Sequence, residues 1–457
     1  MTCVLGLYMI KKEKNIILCV GKPTGQFIDD IRRHQKVSAE SFQIMLLLPK
    51  NSTKIQLEDK VDFVCRVDFQ SQIKLAEVLL PYQERLLAVT VAAVESSVPL
   101  LAKVIPHVPY LRTPTAQSLI WSTDKYEMRK RLKVFLPEHI PAFTKVNNAT
   151  KKEIERVIER VGFPMVVKPA NLAASSFVTV NYHRQELEEN LRKIFKSIAQ
   201  TYKKGERGEE PKIISEEYME GLMFSIDSYV NGRGEVVHAP MVRVKTGKDI
   251  GYDDFHNYLR ITPTGLKKDS IAAAEKVTEN AVRALGLRHS TAHTELMRVD
   301  NDWKIIEVGA RQGGYRAAMY NASCDINHTM NDVFVRIPRK VIIPKTCKGY
   351  SAVLQKFAKK EGVILEMKGV KKIEDLDSFD SLIIKKKIGD KAQFAKNGGK
   401  SIFNLHLYNA DRSKLLADIR RVEQMVEIKV AARGAVKKEV GDAKSQVSKK
   451  APTKTAQ

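Results

Sequence analysis

Short apolar runs alternate with helical stretches through residues 1–115, and this alternation constrains the fold most. Residues 15–20 (NIILCV) read as a buried strand, followed by Gly21-Lys22-Pro23-Thr24-Gly25 and a helical pattern over 26–35. Residues 42–48 (FQIMLLL), 62–67 and 86–90 read as three more strands. Helical spacing at Ile73, Ala76, Leu79 and Leu80 separates the last two. Strands that alternate with helices predict a parallel α/β sheet. The Gly21/Gly25 pair lacks the G-x-G-x-x-G spacing of a dinucleotide loop, so a tight strand-to-helix turn is expected there.

Downstream, Thr150-Lys151-Lys152-Glu153 is a capping box, followed by Ile154, Val157, Ile158 and Val161 on one face, with Gly162 and Pro164 as the stop. A second helix is expected over 270–285. A third follows from residue 412, with Asp411 as its N-cap. Strand-like runs at 382–384 and 402–407 make the last third mixed. These shifts divide the chain into 1–115, 116–345, 346–433 and a tail at 434–457. The tail is rich in Lys, Ala, Ser, Thr and Val without an aromatic residue, and is expected to be disordered.

Several function classes are weakened by composition. The 43% hydrophobic content argues against general disorder. Cys3, Cys19, Cys65, Cys324 and Cys347 are widely spread and contain no C-x-x-C, which argues against a disulfide framework or a structural zinc site. A reducing, cytoplasmic compartment is expected. The longest apolar stretch, 86–94, is far short of the roughly 20 residues a bilayer needs. At the N-terminus the apolar residues precede the basic run 11–14, the reverse of a signal peptide. Met9 leads directly into the first strand and is an alternative start. With 77 Lys+Arg against 53 Asp+Glu, the net charge of +24 raises a nucleic-acid partner, but no RNA- or DNA-binding motif accompanies it.

The most informative stretch is 292–315 (AHTELMRVDNDWKIIEVGARQGGY). Two alternating apolar runs flank Asp300-Asn301-Asp302, which predicts an antiparallel hairpin. If those three residues form the turn, Val299 faces Trp303 and Glu295 faces Glu307. Carboxylates opposed across a strand pair repel each other, and a divalent cation removes that objection. Two surface glutamates are the alternative, and a one-residue slip would separate them.

Glu307 is followed by Gly309, Arg311 and Gly313-Gly314, and Glu295 ends His293-Thr294-Glu295. Here the sequence resembles the ATP-grasp superfamily, whose members end a hairpin with H-x-E and then E-x-N-x-R and a Gly pair. Three other segments match the family in order. They are Thr123-Asp124-Lys125-Tyr126-Glu127-Met128-Arg129, Gly162-Phe163-Pro164-Met165-Val166-Val167-Lys168-Pro169 and Ser215-Glu216-Glu217-Tyr218-Met219-Glu220-Gly221. The resemblance covers about residues 120–320. It implies an α/β ATP-grasp fold, with the N-terminal parallel α/β region as the pre-ATP-grasp domain and a C-terminal α+β region.

The roles that follow are implied by that resemblance. Lys125 and Lys168 would face phosphates as point charges. Glu216, Glu217, Tyr218 and Met219 would line the adenine edge. Glu295 and Glu307 would hold Mg²⁺ or Mn²⁺ between phosphate oxygens. Arg311, with Lys168, would be catalytic, its planar fork meeting phosphate or carboxylate. His256, Arg260 and Gly314 are candidates for the substrate.

Three departures stand out. The phosphate loop lacks glycine, leaving the Ser175 and Ser176 hydroxyls to close it. Leu222 and Met223 replace the ribose-binding glutamate. Gly309 replaces the asparagine of E-x-N, so one metal contact must come from elsewhere. The E-x-G form with R-x-G-G resembles the branch of L-amino-acid ligases and carnosine-synthase-like enzymes.

The expected activity is an ATP-dependent carboxylate–amine (or thiol) ligase that works through an acyl phosphate. Its substrates would be small-molecule carboxylates and amines, and a homodimer is left open. The alternatives are a non-catalytic ATP-grasp nucleotide-binding protein and, behind it, a nucleic-acid-binding protein.

Overall fold

The computed structural model describes residues 13–172, 177–204, 210–252 and 254–431. The basic tail, the alternative start, and Ser175 and Ser176 lie outside these. The strands Ile16–Val20, Gln43–Pro49, Phe63–Val67 and Leu86–Thr90 form the expected parallel sheet, in the order third, second, first, fourth. Gly21 makes the turn after the first strand at φ +82°, and a Cβ there would meet Ser97 Oγ at 2.0 Å. Only glycine tolerates both the angle and the approach. Thr24 then caps the helix Gly25–Val37.

A second, antiparallel sheet of four strands runs Phe143–Val146, Ile213–Glu217, Met165–Pro169, Thr179–Asn181. Two helices back it, Lys151–Val161 and Arg184–Lys204. Ile154 and Val157 of one pack with Leu187, Leu191, Ile194 and Ile198 of the other. Thr150 caps the first helix as expected, but the box is only half formed. The Glu153 carboxylate accepts from the Asn147 amide instead, while the Thr150 amide donates to Asn148. The helices expected over 270–285 and from 412 are Lys268–Ala284 and Arg412–Met425, the latter capped by Asp411.

The largest sheet has nine strands. Its main order is Asp302–Gly309, Ser290–Val299, Leu222–Val230, Val242–Thr246, Asn257–Thr262, Tyr350–Lys356, Phe403–Asn409, Phe379–Ile384. The last three come from the C-terminal third, which extends the central sheet rather than standing apart from it. The helix Arg412–Met425 packs on these strands through Leu415, Ile419 and Val422.

Cys324 and Cys347 are joined by a disulfide, with Cα atoms 4.0 Å apart. The end of the helix Arg316–Cys324 and the approach to Tyr350–Lys356 bring them together, a proximity their 23-residue separation did not advertise. Among the described residues, the expectation of reduced cysteines therefore fits Cys19 and Cys65. Among the described residues no helix is long and apolar enough to cross a membrane.

Candidate active site

Between the four-stranded sheet and the nine-stranded sheet lies a cleft of about 620 Å³. Lys125, Lys168, Glu216, Glu217, Tyr218, Met219, Arg260, Glu295, Glu307, Arg311 and Gly314 all line it. Segments up to 223 residues apart in the chain, from Ala93 to Arg316, thus meet at one site.

The hairpin that carries the two glutamates pairs Glu295 directly with Glu307. It reaches that pairing by a route different from the expected one. The turn contains two residues, Asp300 and Asn301, both at positive φ (47° and 73°), and Val299 faces Asp302. Such a turn has the twist that two-residue hairpins require. Continued without interruption, this register would leave Glu295 opposite Ile306. A bulge between Leu296–Ile305 and Glu295–Glu307 inserts Ile306 and restores the carboxylate pair. Arg129 donates to the Ile306 carbonyl at 2.7 Å. The two errors in the expected register cancel.

Positive groups surround the pair. Lys125 Nζ lies 3.1 Å from Glu307 Oε1, and His293 Nε2 lies 3.5 Å from Glu295 Oε1. Burial raises the Glu295 carboxyl, but His293, with Arg311 and Arg316, outweighs it and holds the group down to about 2. For Lys125, burial is likewise overcome, and Glu307 with Glu95 pushes the ammonium above its ordinary value. Glu295 is therefore an anionic hard-oxygen donor at neutral pH, and the Glu307 carboxyl stands opposite it, which fits a divalent cation held between them. Among the described residues no third His, Cys, Asp or Glu completes a ligand cluster. Phosphate oxygens and water would have to fill the remaining positions of any such ion.

On the opposite wall, Lys168 ends its strand and points into the cleft, 2.6 Å from Glu216 Oε2. Glu216 also accepts from Arg129 Nε at 2.7 Å. Burial opposes its ionisation, and the two cations reverse this to leave the carboxyl at about 2. Lys168 is lowered by burial, with Arg129 and Lys125 adding to it, because one carboxylate serves two cations. The Glu216 side chain is thus a buried counter-ion for the cleft-facing Lys168, a role the sequence did not assign. The Glu217 amide donates to Ala142 and the Tyr218 amide to Pro164. Of the four expected adenine-edge residues, Met219 is the one whose amide has no protein partner among the described residues.

Arg311 pairs with Glu95, which follows the first sheet and is separated by 216 residues. Burial lowers the guanidinium and Glu95 and Glu307 more than offset this. A Cβ at Gly309 would lie 3.3 Å from Glu95 Oε2. Glu95 therefore occupies the surroundings of the missing asparagine. Behind Glu295, buried Asp227 accepts from His293 Nδ1 (2.6 Å), His328 Nε2 (2.8 Å) and the Gly313 amide (2.7 Å). This fixes His293 against Glu295 and anchors the glycine pair. Glu95, Asp227 and His328 were missed by sequence reading, since nothing local marks them, and Arg129, although inside the matched segment 123–129, was given no role.

His256 does not reach the cleft. It is 4% exposed, stacks on Phe357 with centroids 4.0 Å apart and bonds Asp254. Asp254 in turn accepts from the Ala395 and Lys396 amides. His256 ties its loop to the C-terminal third, whereas Arg260, inside the following strand, faces the cleft.

With this geometry in place, comparison with known proteins gives the class. Residues 161–319 match the family model of the ATP-grasp domain. No curated protein sequence matches the chain. Among solved structures, the L-amino acid ligase of Bacillus licheniformis superposes with a TM-score of 0.71 at 17% identity, covering 92% of this chain and 100% of that one. Phosphoribosylglycinamide synthetase of Anaerococcus prevotii gives 0.62 at 14%, covering 92% and 100%. The Staphylococcus aureus N5-carboxyaminoimidazole synthetase complexed with ADP gives 0.65 at 12%, covering 90% and 97%. The chain shares the fold of these structures, and its residues 161–319 match the ATP-grasp domain.

Proposed function

We propose that this protein is an ATP-dependent carboxylate–amine ligase, acting on an amino acid or small carboxylic acid through an acyl phosphate. The observation that carries this is the opposed pair Glu295–Glu307 in one cleft with Lys125, Lys168 and Arg311. Lys125 and Lys168 bind and orient the triphosphate, and Met219 supplies its amide to the base. Glu295 and Glu307 would hold Mg²⁺, which neutralises charge on the phosphates. Arg311 exchanges Glu95 for the transferring phosphoryl group or the substrate carboxylate. Gly314, beside the Gly313 that Asp227 anchors, leaves room for the substrate near Arg311. An amine, or a thiol, then displaces phosphate from the activated carboxyl. No protein nucleophile is required, because positioning and electrostatics suffice.

The test is ADP release against a pooled library of amino acids and small acids, with products read by mass spectrometry. ADP formation in an amine-dependent manner is expected. Nucleotide binding without ADP release across the library would instead favour a non-catalytic nucleotide-binding protein. Glu307→Ala is expected to lose the Mg²⁺ dependence of ATP binding. Unchanged Mg-ATP affinity in that variant removes the metal assignment.

A further inference from the structure

Among the described residues, two arginines in the cleft have no counter-ion. Arg260 is 7% exposed and Arg316 is 2% exposed, and both line the cavity. Among the described residues neither has a carboxylate within salt-bridge distance. Arg260 Nη1 donates to the Asn257 carbonyl (3.3 Å) and Gln355 Oε1 (2.8 Å), and its guanidinium lies 5.2 Å from the Tyr315 ring centroid. Arg316 donates to Ser225 Oγ (2.7 Å), the Gly314 carbonyl (3.2 Å) and Met319 Sδ (3.7 Å), while its buried Nε has no partner. All these partners are neutral. Burial and then Arg316 depress Arg260 to about 10. The carboxylate that acts on Arg260 from a distance is Glu295, which already faces His293.

Guanidinium groups do not deprotonate, so two of them buried side by side carry a desolvation cost that neutral partners only partly offset. Their position is fixed by the sheet. Glu295 pairs with Ser225, Ser225 with Val242, and Val244 with Arg260. Direct cross-strand partners and alternate residues share a face, so Glu295, Ser225 and Arg260 face the same way. Three strand spacings separate the Glu295 strand from the Arg260 strand, roughly 14 Å. Arg316 spans the interval through Ser225.

We propose that Arg260 and Arg316 form an anion subsite, so that the carboxylate activated at Arg311 belongs to a molecule bearing a second anionic group, a carboxylate or a phosphate. This rests on the ligase reading for the activated carboxyl. Tyr315 and Gln355 hold Arg260 in place, and paired guanidinium forks match planar or tetrahedral oxyanions.

The test is calorimetric titration of the full chain, saturated with Mg²⁺ and a non-hydrolysable ATP analogue, and again without nucleotide. The probes are succinate, L-glutamate and O-phospho-L-serine, each against the counterpart that keeps one carboxylate but lacks the second anionic group: succinamate, L-glutamine or L-serine. At least one probe is expected to bind roughly tenfold tighter than its counterpart. Which one wins separates carboxylate from phosphate. Arg260→Gln is expected to cut that preference to about twofold or less without altering nucleotide affinity. Arg316→Gln tests the second arginine, but its bond to Ser225 makes Arg260→Gln the decisive variant. Equal binding of every probe and its counterpart, or a preference that survives Arg260→Gln, overturns the subsite. Failure of the nucleotide to bind instead removes the ligase reading, and the titrations without nucleotide still decide the subsite.

Discussion

Glu216 illustrates how much of this site depends on single charges. It is 2% exposed and is the shared counter-ion of Arg129 and Lys168. Removing one member of such a buried cluster strands the others, at about 3–5 kcal/mol. Glu216→Gln is expected to destabilise the protein by that order in urea unfolding at neutral pH. The pH dependence follows from a carboxyl lowered from 4.5 to about 2 in the folded state. Its contribution is complete above pH 4.5 and is lost as pH falls toward 2. The gap between wild type and Glu216→Gln should therefore narrow across that window. Glu95 gives a second test. Glu95→Ala leaves Arg311 without its partner and is expected to cost about 1–3 kcal/mol. Saturating Mg-ATP should shrink that penalty, because phosphate oxygens then take the guanidinium. An equal penalty with and without nucleotide would show that Arg311 does not change partners.

At the scale of elements, the hairpin shows what a sequence does and does not carry. Its turn places Asn301 at φ 73°, where a β-branched residue is strained. Asn301→Val is expected to cost about 1–2 kcal/mol in denaturant unfolding, and Asn301→Gly to be neutral or mildly stabilising. The alternating pattern made the hairpin legible, together with the pairing of Glu295 and Glu307. The two-residue turn and the bulge at Ile306 were not, because a bulge is stabilised by a distant partner, here Arg129. The parallel sheet was legible for a related reason. Its buried strands are continuous apolar runs separated by capped helices, so the pattern is local. Lys125, Lys168 and Arg311 were legible from short motifs. Glu95, Asp227 and the second role of Glu216 were not, since each acts through a residue 66 or more positions away. His256 was misplaced because a loop gives no periodicity from which to read its direction.

Across the whole molecule, the first sheet is not an independent body. One of its faces shares a core with Leu119, Met128, Phe224 and Trp303, and the other packs against Met330, Val333, Phe334 and Ile337. Buried polar bonds cross the same boundary, from Thr90 Oγ1 to Asp332 and from Thr329 Oγ1 to Asp30. The segment 13–115 alone would lose the cover that Met330, Val333, Phe334 and Ile337 give to the cluster of Ile17, Phe27, Ile44 and Leu46. It is therefore expected not to fold when expressed by itself. In the full chain, calorimetry should show the first sheet and the nucleotide-binding core melting together. Bound ligand stabilises whatever unfolds cooperatively with its site, by about 2.7 kcal/mol at a hundredfold excess over Kd. Mg-ATP should thus protect amides of the strand Ile16–Val20 from hydrogen exchange by global unfolding as strongly as those of Met165–Pro169, although only the latter lines the cleft, through Val166, Lys168 and Pro169. Protection confined to Met165–Pro169 would mean that the shared core does not couple the two sheets. In that case the Glu95–Arg311 contact would be the main link between the first sheet and the site.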